Sequence, residues 1–592
     1  MSREKKTTAA ALGRDWAPQG ADERAFRDGL AGRPSHHRLL ERAEIDALER
    51  NGNRADRWDR VLVSQPFDPA LVRNCEFHGL VRIGRLAPGV LERDGLSVPV
   101  GLTASRIAAC DLGDGVAVHN VGHLSRCRIG DGAIVQNVGE LLATGEGTFG
   151  QGAVLELGNE NGRRAVAAFD GMLPADAHLA ARWPDDEALQ ARLREPAGRR
   201  EVCAVVGPGA MVRNCRTIRD AILGPHAIVR GADRLENVTI ASTAEQPALV
   251  GEGADLSDGV ASPGCRIIQG VKAERFALGE NVSLLRGARV AHVAVGDNST
   301  IACCEVLHSL LLPAHEQHHN NSFLIAATVL GQSNIAAGAT LGSNHNSRAP
   351  DGELLAGRGF WPGLCVSVKH CCRFASYVLL AKGDYPAELD VPLPFSLLSN
   401  NASADRLELM PAYWWMYNMY ALARNAWKYA ARDRRVEKRQ HIETDPLAPD
   451  TAEEIFAAMA LLEKWIGAAA ARAAGRNVQG ASDAALAEEG RKLLAADPAA
   501  AEKLDVLADG VENSRRAVVV LKAARAHAAY RQMLHHYAMK NLLAWMADNP
   551  RARLSDMTSA LAGARQTRWV NLGGQLLTEP DADSLRADLG AG

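Results

Sequence analysis

The sequence lacks the long apolar stretches and the charge excess that mark membrane-spanning and polyanion-binding proteins. Nowhere in its 592 residues do about 18 apolar residues follow one another, so we expect no transmembrane helix. Lys and Arg number 67 against 70 Asp and Glu, and the net charge of −3 excludes a global field for nucleic acid or an anionic membrane, while a local basic patch stays open. The charged start, Met1 to Lys6, precedes no apolar segment, so we expect no signal peptide and a cytoplasmic protein.

Paired cysteine motifs are also missing. The eleven cysteines are an odd number with no C-x-x-C spacing, which argues against a disulfide framework and against a thiolate zinc site. We therefore expect most of them to be small buried apolar residues. The neighbours Cys303 and Cys304 point to opposite faces of a strand, as do Cys371 and Cys372, so a redox role is not expected of either pair.

What is present is a short repeat: an aliphatic residue, Gly, two turn formers and a small residue. Three pairs of copies, including Leu112 with Ile129, are 17 residues apart, close to the roughly 18 residues in one coil of a hexapeptide β-helix. The 54 glycines suit tight corners and not helices. The aliphatic residues that begin the copies are Leu112, Ile129, Val206, Leu223, Val250, Leu278, Val295 and Leu330.

These corners predict a mainly β solenoid, a left-handed parallel β-helix of hexapeptide repeats, followed by an all-α C-terminal region. Each aliphatic side chain points inward and stacks on its equivalents in the next coils. We predict an N-terminal segment with a short helix at 1–70, the β-helix at 71–395 with an insertion at about 159–200, an aromatic and basic bracket helix at 396–450, and helices over 451–592. Insertions in solenoids tend to gather on one face, often the binding face.

The apolar spacing changes to a helical period in the C-terminal region. Thr451 begins a capping box, and Ile455, Met459, Leu462 and Ile466 follow on one helix face. Further helices are predicted over 483–495 and 513–547.

Aromatic residues are concentrated in 410–420 and are followed by a run of basic residues. Such interleaving could stack on and neutralise a nucleic acid strand. We favour a helix that is buried nearly all round between domains, with its basic tail solvated or paired.

Polar and ionisable side chains cluster between His308 and Glu388, and they allow two chemistries. A histidine on a rigid coil can act as general base towards an acyl thioester, and His345 suits that role between Asn344 and Asn346, with Lys369 positioning charge. Alternatively, histidines on stacked coils can hold a zinc ion with an open position for water. The candidate ligands are His315, His318 or His319, His345 and His370. His315 also begins an H-E-x-x-H match, which we discount because that motif works only on a regular helix.

The repeats resemble the hexapeptide acyltransferase superfamily, and 342–388 resembles its maltose and galactoside acetyltransferase branch. There a catalytic His ends one coil, a loop follows, a Trp-containing turn resumes the coils, and a Lys-Asp-x-Pro segment closes them. His345, the loop from Arg348 to Arg358, Trp361 and Lys382-Gly383-Asp384-Tyr385-Pro386 stand in those places. The whole chain also resembles a bacterial domain-of-unknown-function family with a β-helix and a helical tail.

The resemblance implies an acyltransferase-like enzyme that moves an acyl group from acyl-CoA or a similar thioester to a sugar, sugar nucleotide or related metabolite. His345 would be the base, with Asn344, Asn346 or Lys369 positioning charge. A homo-oligomer is expected, with a trimer favoured, and neither a membrane nor nucleic acid is expected as partner. The rival hypotheses are a zinc-dependent hydratase-like site of the γ-carbonic anhydrase type and a noncatalytic scaffold. The residues assigned to substrate binding are Arg348, Asp351, Glu353, Arg358, Trp361 and His370.

Overall fold

The structure is a computed structural model, which describes residues 16–18, 20–31, 36–162, 164–198, 201–344 and 351–591. The chain forms two compact units. Unit 1 comprises Met1–Leu155, Ala167–Met172 and Leu193–His292, and unit 2 comprises Glu156–Val166, Leu173–Arg192 and Val293–Gly592. Both units contain parallel β-solenoid coils, which confirms the predicted solenoid, and unit 2 also contains the helical C-terminal region.

The coils of unit 1 stack in register around an aliphatic interior. Leu112 lies opposite Ile129, and Ile129 lies opposite Val206 on the next coil. Each of these side chains is at most 3% exposed, so every coil covers the apolar surface of its neighbours. The full column is Val63, Ile83, Leu112, Ile129, Val206, Leu223, Ile240, Ala261 and Leu278.

Most of the strands up to residue 295 are short and belong to these coils, and Val90–Arg93 with Leu96–Pro99 forms an antiparallel hairpin. Parallel pairing begins at Arg54, inside the segment that the sequence assigns to the N-terminus. The strands are Arg38–Leu39, Arg54–Ala55, Val61–Val63, Val72–Arg73, Glu76–His78, Val81–Ile83, Val90–Arg93, Leu96–Pro99, Gly101–Thr103, Arg106–Ala108, Asp111–Leu112, Ala117–Ser125, Cys127–Ile129, Ile134–Leu142, Val154–Glu156, Ala165–Ala167, Ala204–Val206, Met211–Arg213, Thr217–Leu223, Ile228–Arg230, Arg234–Ile240, Leu249–Val250, Asp255–Ala261, Arg266–Ile268, Lys272–Leu278, Ser283–Leu285 and Arg289–Val295.

Asparagine side chains line one corner of these coils. Asn120, Asn137 and Asn214 have left-handed backbones with φ of 54° to 55°, which Asn tolerates better than most residues. Their amides form a ladder, with Asn120 Nδ2 donating to Asn137 Oδ1 at 3.0 Å and Asn137 Nδ2 donating to Asn214 Oδ1 at 3.1 Å. The corner is therefore fixed by backbone preference and by side-chain hydrogen bonds together.

An insertion interrupts the coils. The chain leaves them after Leu142 and returns at Ala204, which pairs with Cys127 of the preceding coil. The insertion therefore begins earlier than the predicted residue 159. The sequence did not reveal this start, because the stretch before 159 still carries a repeat-like Gly152-Ala153-Val154 sequence. The helices up to this point are α1 (Glu23–Ala31), α2 (Arg42–Arg50), α3 (Pro174–Arg182) and α4 (Glu187–Arg194).

The coils of unit 2 also stack in register around a buried column of side chains. Unit 2 contains in addition a separate five-stranded sheet, formed by Trp361–Pro362, Leu379–Leu380, Leu397–Asn401, Arg406–Met410 and Ala517–Val520. Val329 lies opposite Ala356, and Ala356 lies opposite Phe374. The remaining strands are Thr300–Ala302, Glu305–Leu311, Glu316–Gln317, Phe323–Ile325, Ala327–Val329, Thr340–Ser343, Leu354–Ala356, Trp361–Pro362, Ser367–Lys369, Arg373–Phe374, Leu379–Leu380, Asp384–Tyr385, Asp390–Val391, Leu397–Asn401, Arg406–Met410, Ala517–Val520, Trp569–Leu572 and Gln575–Thr578.

Helices dominate after residue 412. Two helices follow the predicted pattern: α7 (Pro449–Ala473) buries Ile455, Leu462 and Ile466, and α8 (Asp483–Ala496) covers the predicted 483–495. The two helices approach so closely that a Cβ on Gly467 would lie 1.9 Å from the carbonyl oxygen of Leu486. The helices are α5 (Tyr413–Tyr417), α6 (Met419–Ala431), α7 (Pro449–Ala473), α8 (Asp483–Ala496), α9 (Pro498–Ala501), α10 (Ala523–Asp548), α11 (Leu554–Ala560) and α12 (Glu579–Ala591).

Two sequence expectations for this region need correction. The predicted helix over 513–547 begins only at Ala523, because Ala517–Val520, rich in β-branched residues, instead pairs with the strand Arg406–Met410. The bracket helix predicted over 396–450 is instead two strands, Leu397–Asn401 and Arg406–Met410, followed by α5 and α6. These two helices are buried on one side only: Trp414 and Tyr429 are buried, whereas Tyr420 is 79% and Trp427 is 73% exposed. No helix of the described residues is both long and apolar enough to cross a membrane.

Candidate functional site

Three of the polar residues predicted for the site, Asn344, Lys369 and His370, lie at the ends of neighbouring parallel strands of unit 2. Thr340–Ser343 pairs with Ser367–Lys369, which pairs in turn with Asp384–Tyr385. The first strand ends just before Asn344, and the backbone N–H of His370 donates to its last carbonyl at 2.9 Å. The fold therefore brings Asn344, Lys369 and His370 to the same end of adjacent coils.

His345, Asn346 and Arg348 lie outside the described residues, so their roles stay predictions. The residues on either side of this stretch are joined by a hydrogen bond, which the backbone N–H of Asn344 donates to Oδ1 of Asp351 at 2.6 Å. Asn344 is 6% exposed. The two described residues that flank the predicted catalytic segment are thus joined to each other.

Two further predicted residues stand beside this hydrogen bond. A Cβ on Gly352 would lie 2.5 Å from Nδ1 of His370, so the histidine ring packs directly against that glycine. Lys369 forms an ion pair with Glu388, and this hydrogen bond lowers the pKa of Glu388. Asn513 donates to the other carboxylate oxygen of Glu388 at 3.2 Å. The charge of Lys369 is therefore shared with Glu388.

Arg358 and Trp361 contact the helical region of unit 2. The guanidinium of Arg358 is 1% exposed, donates to both oxygens of Asp450 and donates to the carbonyl of Asp445 at 3.0 Å. The ring of Trp361 lies 5.5 Å from that of Trp414. Both residues thus hold the coils to helices, and Arg358 has no exposed donor for a substrate.

The histidines of the zinc hypothesis are differently placed. His315 is fully buried, with Nδ1 2.7 Å from Oγ of Ser333 and Nε2 3.2 Å from Oε1 of Gln317, and burial lowers its pKa to about 4. His319 is exposed. Within the part of the chain that the structure describes, neither these two nor His370 belongs to a set of three ligands close enough to share one ion.

A cavity of about 340 Å³ opens in unit 2. Its coil side contains Glu353, two residues beyond Asp351, and its other side comes from the insertion. Arg164 of the insertion forms two contacts with the carboxylate of Glu353, at 2.7 and 2.8 Å. The lining residues are Arg164, His178, Ala181, Arg182, Trp183, Leu310, Thr328, Glu353, Leu354 and Leu355.

The cavity carries more positive than negative charge. Two guanidinium groups, of Arg164 and Arg182, line it with one carboxylate, and the guanidinium of Arg182 stacks 5.1 Å from the centroid of Trp183. Burial, followed by the charges of Arg182 and Arg164, lowers the pKa of His178 to about 4. Nδ1 of this neutral histidine accepts a hydrogen bond from Gly573 at 3.2 Å. The cavity therefore suits an anionic ligand with a flat group.

Sequence reasoning missed the cavity residues Arg164, His178, Arg182 and Trp183. The available signal was indirect: the insertion breaks the repeat, and solenoid insertions often form the binding face. Which insertion residues face the coils depends on how α3 packs, and the local sequence does not encode that choice.

A second cavity of unit 2, of about 350 Å³, lies beneath the segment 432–444. Its charged groups already pair with one another: Arg435 contacts Asp433 at 2.9 Å and Asp297 at 3.3 Å, and Arg432 contacts Glu316 at 3.0 Å. These pairs fix the segment against the coils.

Comparison with known proteins identifies a family. The family described as "Domain of unknown function (DUF4954)" matches residues 37–465. A protein of Treponema pallidum (strain Nichols), named "Uncharacterized protein", is 43% identical in a match 592 residues long. The match covers 97% of this chain and 80% of the relative.

Proposed function

Starting from the finding that the chain belongs to the DUF4954 family, we propose that it is an acyltransferase-like enzyme. It moves an acyl group from a thioester donor to a hydroxyl or amine of a sugar, sugar nucleotide or related metabolite. The hydrogen bond from Asn344 to Asp351 is the observation that carries this proposal. It joins the two described residues that flank the segment containing His345, and a general base has to be held in a fixed position.

The cavity lined by Arg164, Arg182 and Glu353 supplies the recognition chemistry. Thioester donors such as acyl-CoA, like sugar nucleotides, carry phosphates and a flat heterocycle. Arg164 and Arg182 match the phosphates, and Trp183 offers a ring for stacking. Glu353 links the cavity to the proposed catalytic segment, since it pairs with Arg164 of the cavity and lies two residues after Asp351 in the sequence.

The proposed step needs one base and one anion stabiliser. His345 takes the proton of the acceptor hydroxyl or amine as the acceptor oxygen or nitrogen bonds to the thioester carbon. Asn344 and Asn346 stabilise the oxyanion of the tetrahedral intermediate. The carbon–sulfur bond then breaks, and the leaving thiolate takes from His345 the proton that the acceptor gave up. Lys369, paired with Glu388, acts as a positioning residue.

The test is thiol release by the purified full chain with acetyl-CoA and a panel of sugar and sugar-nucleotide acceptors. His345→Ala should lower kcat at least about 100-fold, whereas the matched control His319→Ala, at an exposed histidine, should leave it unchanged. Absence of thiol release from every acceptor, or unaltered kcat in His345→Ala, contradicts the proposal.

Donor binding is measured separately by calorimetry. Arg182→Ala should weaken acetyl-CoA binding about tenfold by removing a charge-assisted phosphate contact. Arg194→Ala, at an exposed arginine outside the cavity, should not. Tight donor binding without turnover identifies a binding protein and overturns the enzymatic assignment.

A further inference from the structure

Unit 2 exposes an unusual number of large apolar side chains on three of its helices. We call these residues the aromatic-basic surface. They are Tyr417 on α5, Met419, Tyr420, Arg424 and Trp427 on α6, and Met539, Leu543 and Met546 on α10.

The α6 part of this surface is one continuous helix face. Tyr420, Arg424 and Trp427 are spaced i, i+4 and i+7, opposite the face that buries Leu422 and Tyr429. The exposed fractions of Tyr420 and Trp427, 79% and 73%, leave two large rings in contact with water. Apolar patches of this kind mark interaction sites on soluble domains.

The α10 part continues from the contact between α5 and α10. The ring of Trp415 lies 5.6 Å from that of His536, and its indole N–H donates to Gln532 at 3.2 Å. Further along the same helix face come the three apolar residues of the surface, at spacings of three, four and three from His536. Met539, Leu543 and Met546 are each more than half exposed.

The segments that carry the surface are mostly basic, and exposed Asp548, which ends α10 two residues after Met546, is the acid on these helices. Neither 411–432 nor 513–547 contains an Asp or Glu. Some of the cations are paired with acids from other elements, as Lys428 and Arg432 are with Glu316. Arg424 and Arg531 are exposed and form no ion pair with any described residue.

Two further cations near the surface are neutralised in the same way. Arg525 pairs with Glu502 at 2.7 Å, and Lys540 pairs with Asp445. The net charge that remains after these ion pairs is positive, so a partner of complementary charge is anionic. A second copy would oppose basic residues with basic residues if it docked through the same face.

We propose that the aromatic-basic surface binds the headgroup region of an anionic lipid bilayer. Tyr and Trp rings favour the headgroup level, and aliphatic side chains such as Met539 and Leu543 favour the acyl boundary. A nucleic acid strand would use the rings but not this aliphatic row, because bases stack on flat groups. Arg424 sits between the two rings of α6, where it meets a lipid phosphate.

The experiment is flotation of the full chain with vesicles of phosphatidylcholine alone and of equimolar phosphatidylcholine and phosphatidylglycerol. Binding should require the anionic lipid and weaken at least about tenfold when salt rises from about 0.1 M to about 0.5 M. Trp427→Ala and Arg424→Glu should each weaken binding about tenfold with unchanged thermal unfolding. The control Leu364→Ala removes another exposed apolar side chain, 59% accessible, from a coil.

The other outcomes overturn the proposal. If the chain ignores anionic vesicles, or if Trp427→Ala binds them as tightly as Leu364→Ala does, lipid is not the partner. If Trp427→Ala abolishes binding to single-stranded oligonucleotides while vesicles stay unbound, the partner is a nucleic acid. If it abolishes concentration-dependent self-association in sedimentation while vesicles stay unbound, the partner is a second copy.

Discussion

The guanidinium of Arg358 donates two hydrogen bonds to the carboxylate of Asp450, of 2.8 Å from Nε and 2.7 Å from Nη2. Arg358 belongs to a coil, and Asp450 lies in the first turn of α7. The arginine side chain is almost fully buried. Asp450 meets both the guanidinium and the positive end of the helix dipole. This pair therefore ties the helical region of unit 2 to its coils.

Removing one partner of this pair should leave the other as an unpaired buried charge. We expect Arg358→Met and Asp450→Ala each to lower the free energy of unfolding by about 3–5 kcal/mol, measured by urea denaturation. The double variant should lose less than the two single losses added together. Arg406→Met is the control, because its pair with Glu408 is partly exposed and worth at most about 1 kcal/mol. Equal losses for Arg358→Met and Arg406→Met would contradict this role.

Glu454 gives unit 2 a dependence on pH. Burial, and then the neighbouring charge of Asp450, raise the pKa of Glu454 from 4.5 to about 7. Between these values the native state keeps a proton that the unfolded chain releases, so stability falls as the pH rises through this window. The total loss is on the order of 3 kcal/mol.

Glu454→Gln should therefore flatten the decline in melting temperature between about pH 4.5 and pH 7. It should also stabilise the protein at pH 8, because the amide oxygen still accepts from the backbone N–H of Ser376, now 3.0 Å from the carboxylate. Glu274→Gln, at a carboxylate that is 63% exposed, should keep the wild-type slope. An unchanged slope in Glu454→Gln would show that another group titrates.

The aliphatic column of unit 1 should be sensitive to a loss of volume. Ile129 is 1% exposed and stacks between Leu112 and Val206. We expect Ile129→Ala to cost about 2–5 kcal/mol by urea denaturation, since the coils on both sides limit collapse of the cavity. Val90→Ala, at a side chain 63% exposed, should change stability by less than about 0.5 kcal/mol. A small effect at Ile129 would mean that the column does not carry the stability of unit 1.

The cysteines should label in two classes. Cys365 and Cys371 are exposed, whereas eight of the eleven are buried, and burial raises the pKa of Cys304 and of Cys372 to about 12. Iodoacetamide at pH 8 should therefore modify only the exposed class rapidly, as mass spectrometry of peptides would reveal. Rapid labelling of Cys304 in the native protein would refute the assignment.

The exposed cysteines should also differ from each other. Burial and then the carboxylates of Glu388 and Glu353 raise the pKa of Cys371. Glu388→Gln should speed alkylation of Cys371 several-fold, because it removes that charge and frees Lys369, and Cys365 is the internal control. If both cysteines accelerate equally, the carboxylate does not govern Cys371.

Local sequence was sufficient for the parts that repeat. Ile129, Leu223 and Leu278 are interior because each begins a Gly-containing corner, and identical corners stack whatever lies between them. The buried face of α7 and the extent of α8 followed from apolar spacing in the same way, whereas Thr451, predicted as the capping residue, lies inside α7 as its third residue. Ala517–Val520 escaped prediction, since its strand partner at 406–410 is distant along the chain.

The sequence by itself determined which residues turn inward along the solenoid, because corner geometry and burial depend on neighbours within one coil. Only the tertiary structure decided that Arg358 forms an ion pair with Asp450 and that Arg164 forms one with Glu353 at the cavity. It also decided that Tyr420 and Trp427 face water. These contacts join segments up to 189 residues apart, and no local preference encodes which charges or rings meet across such a distance.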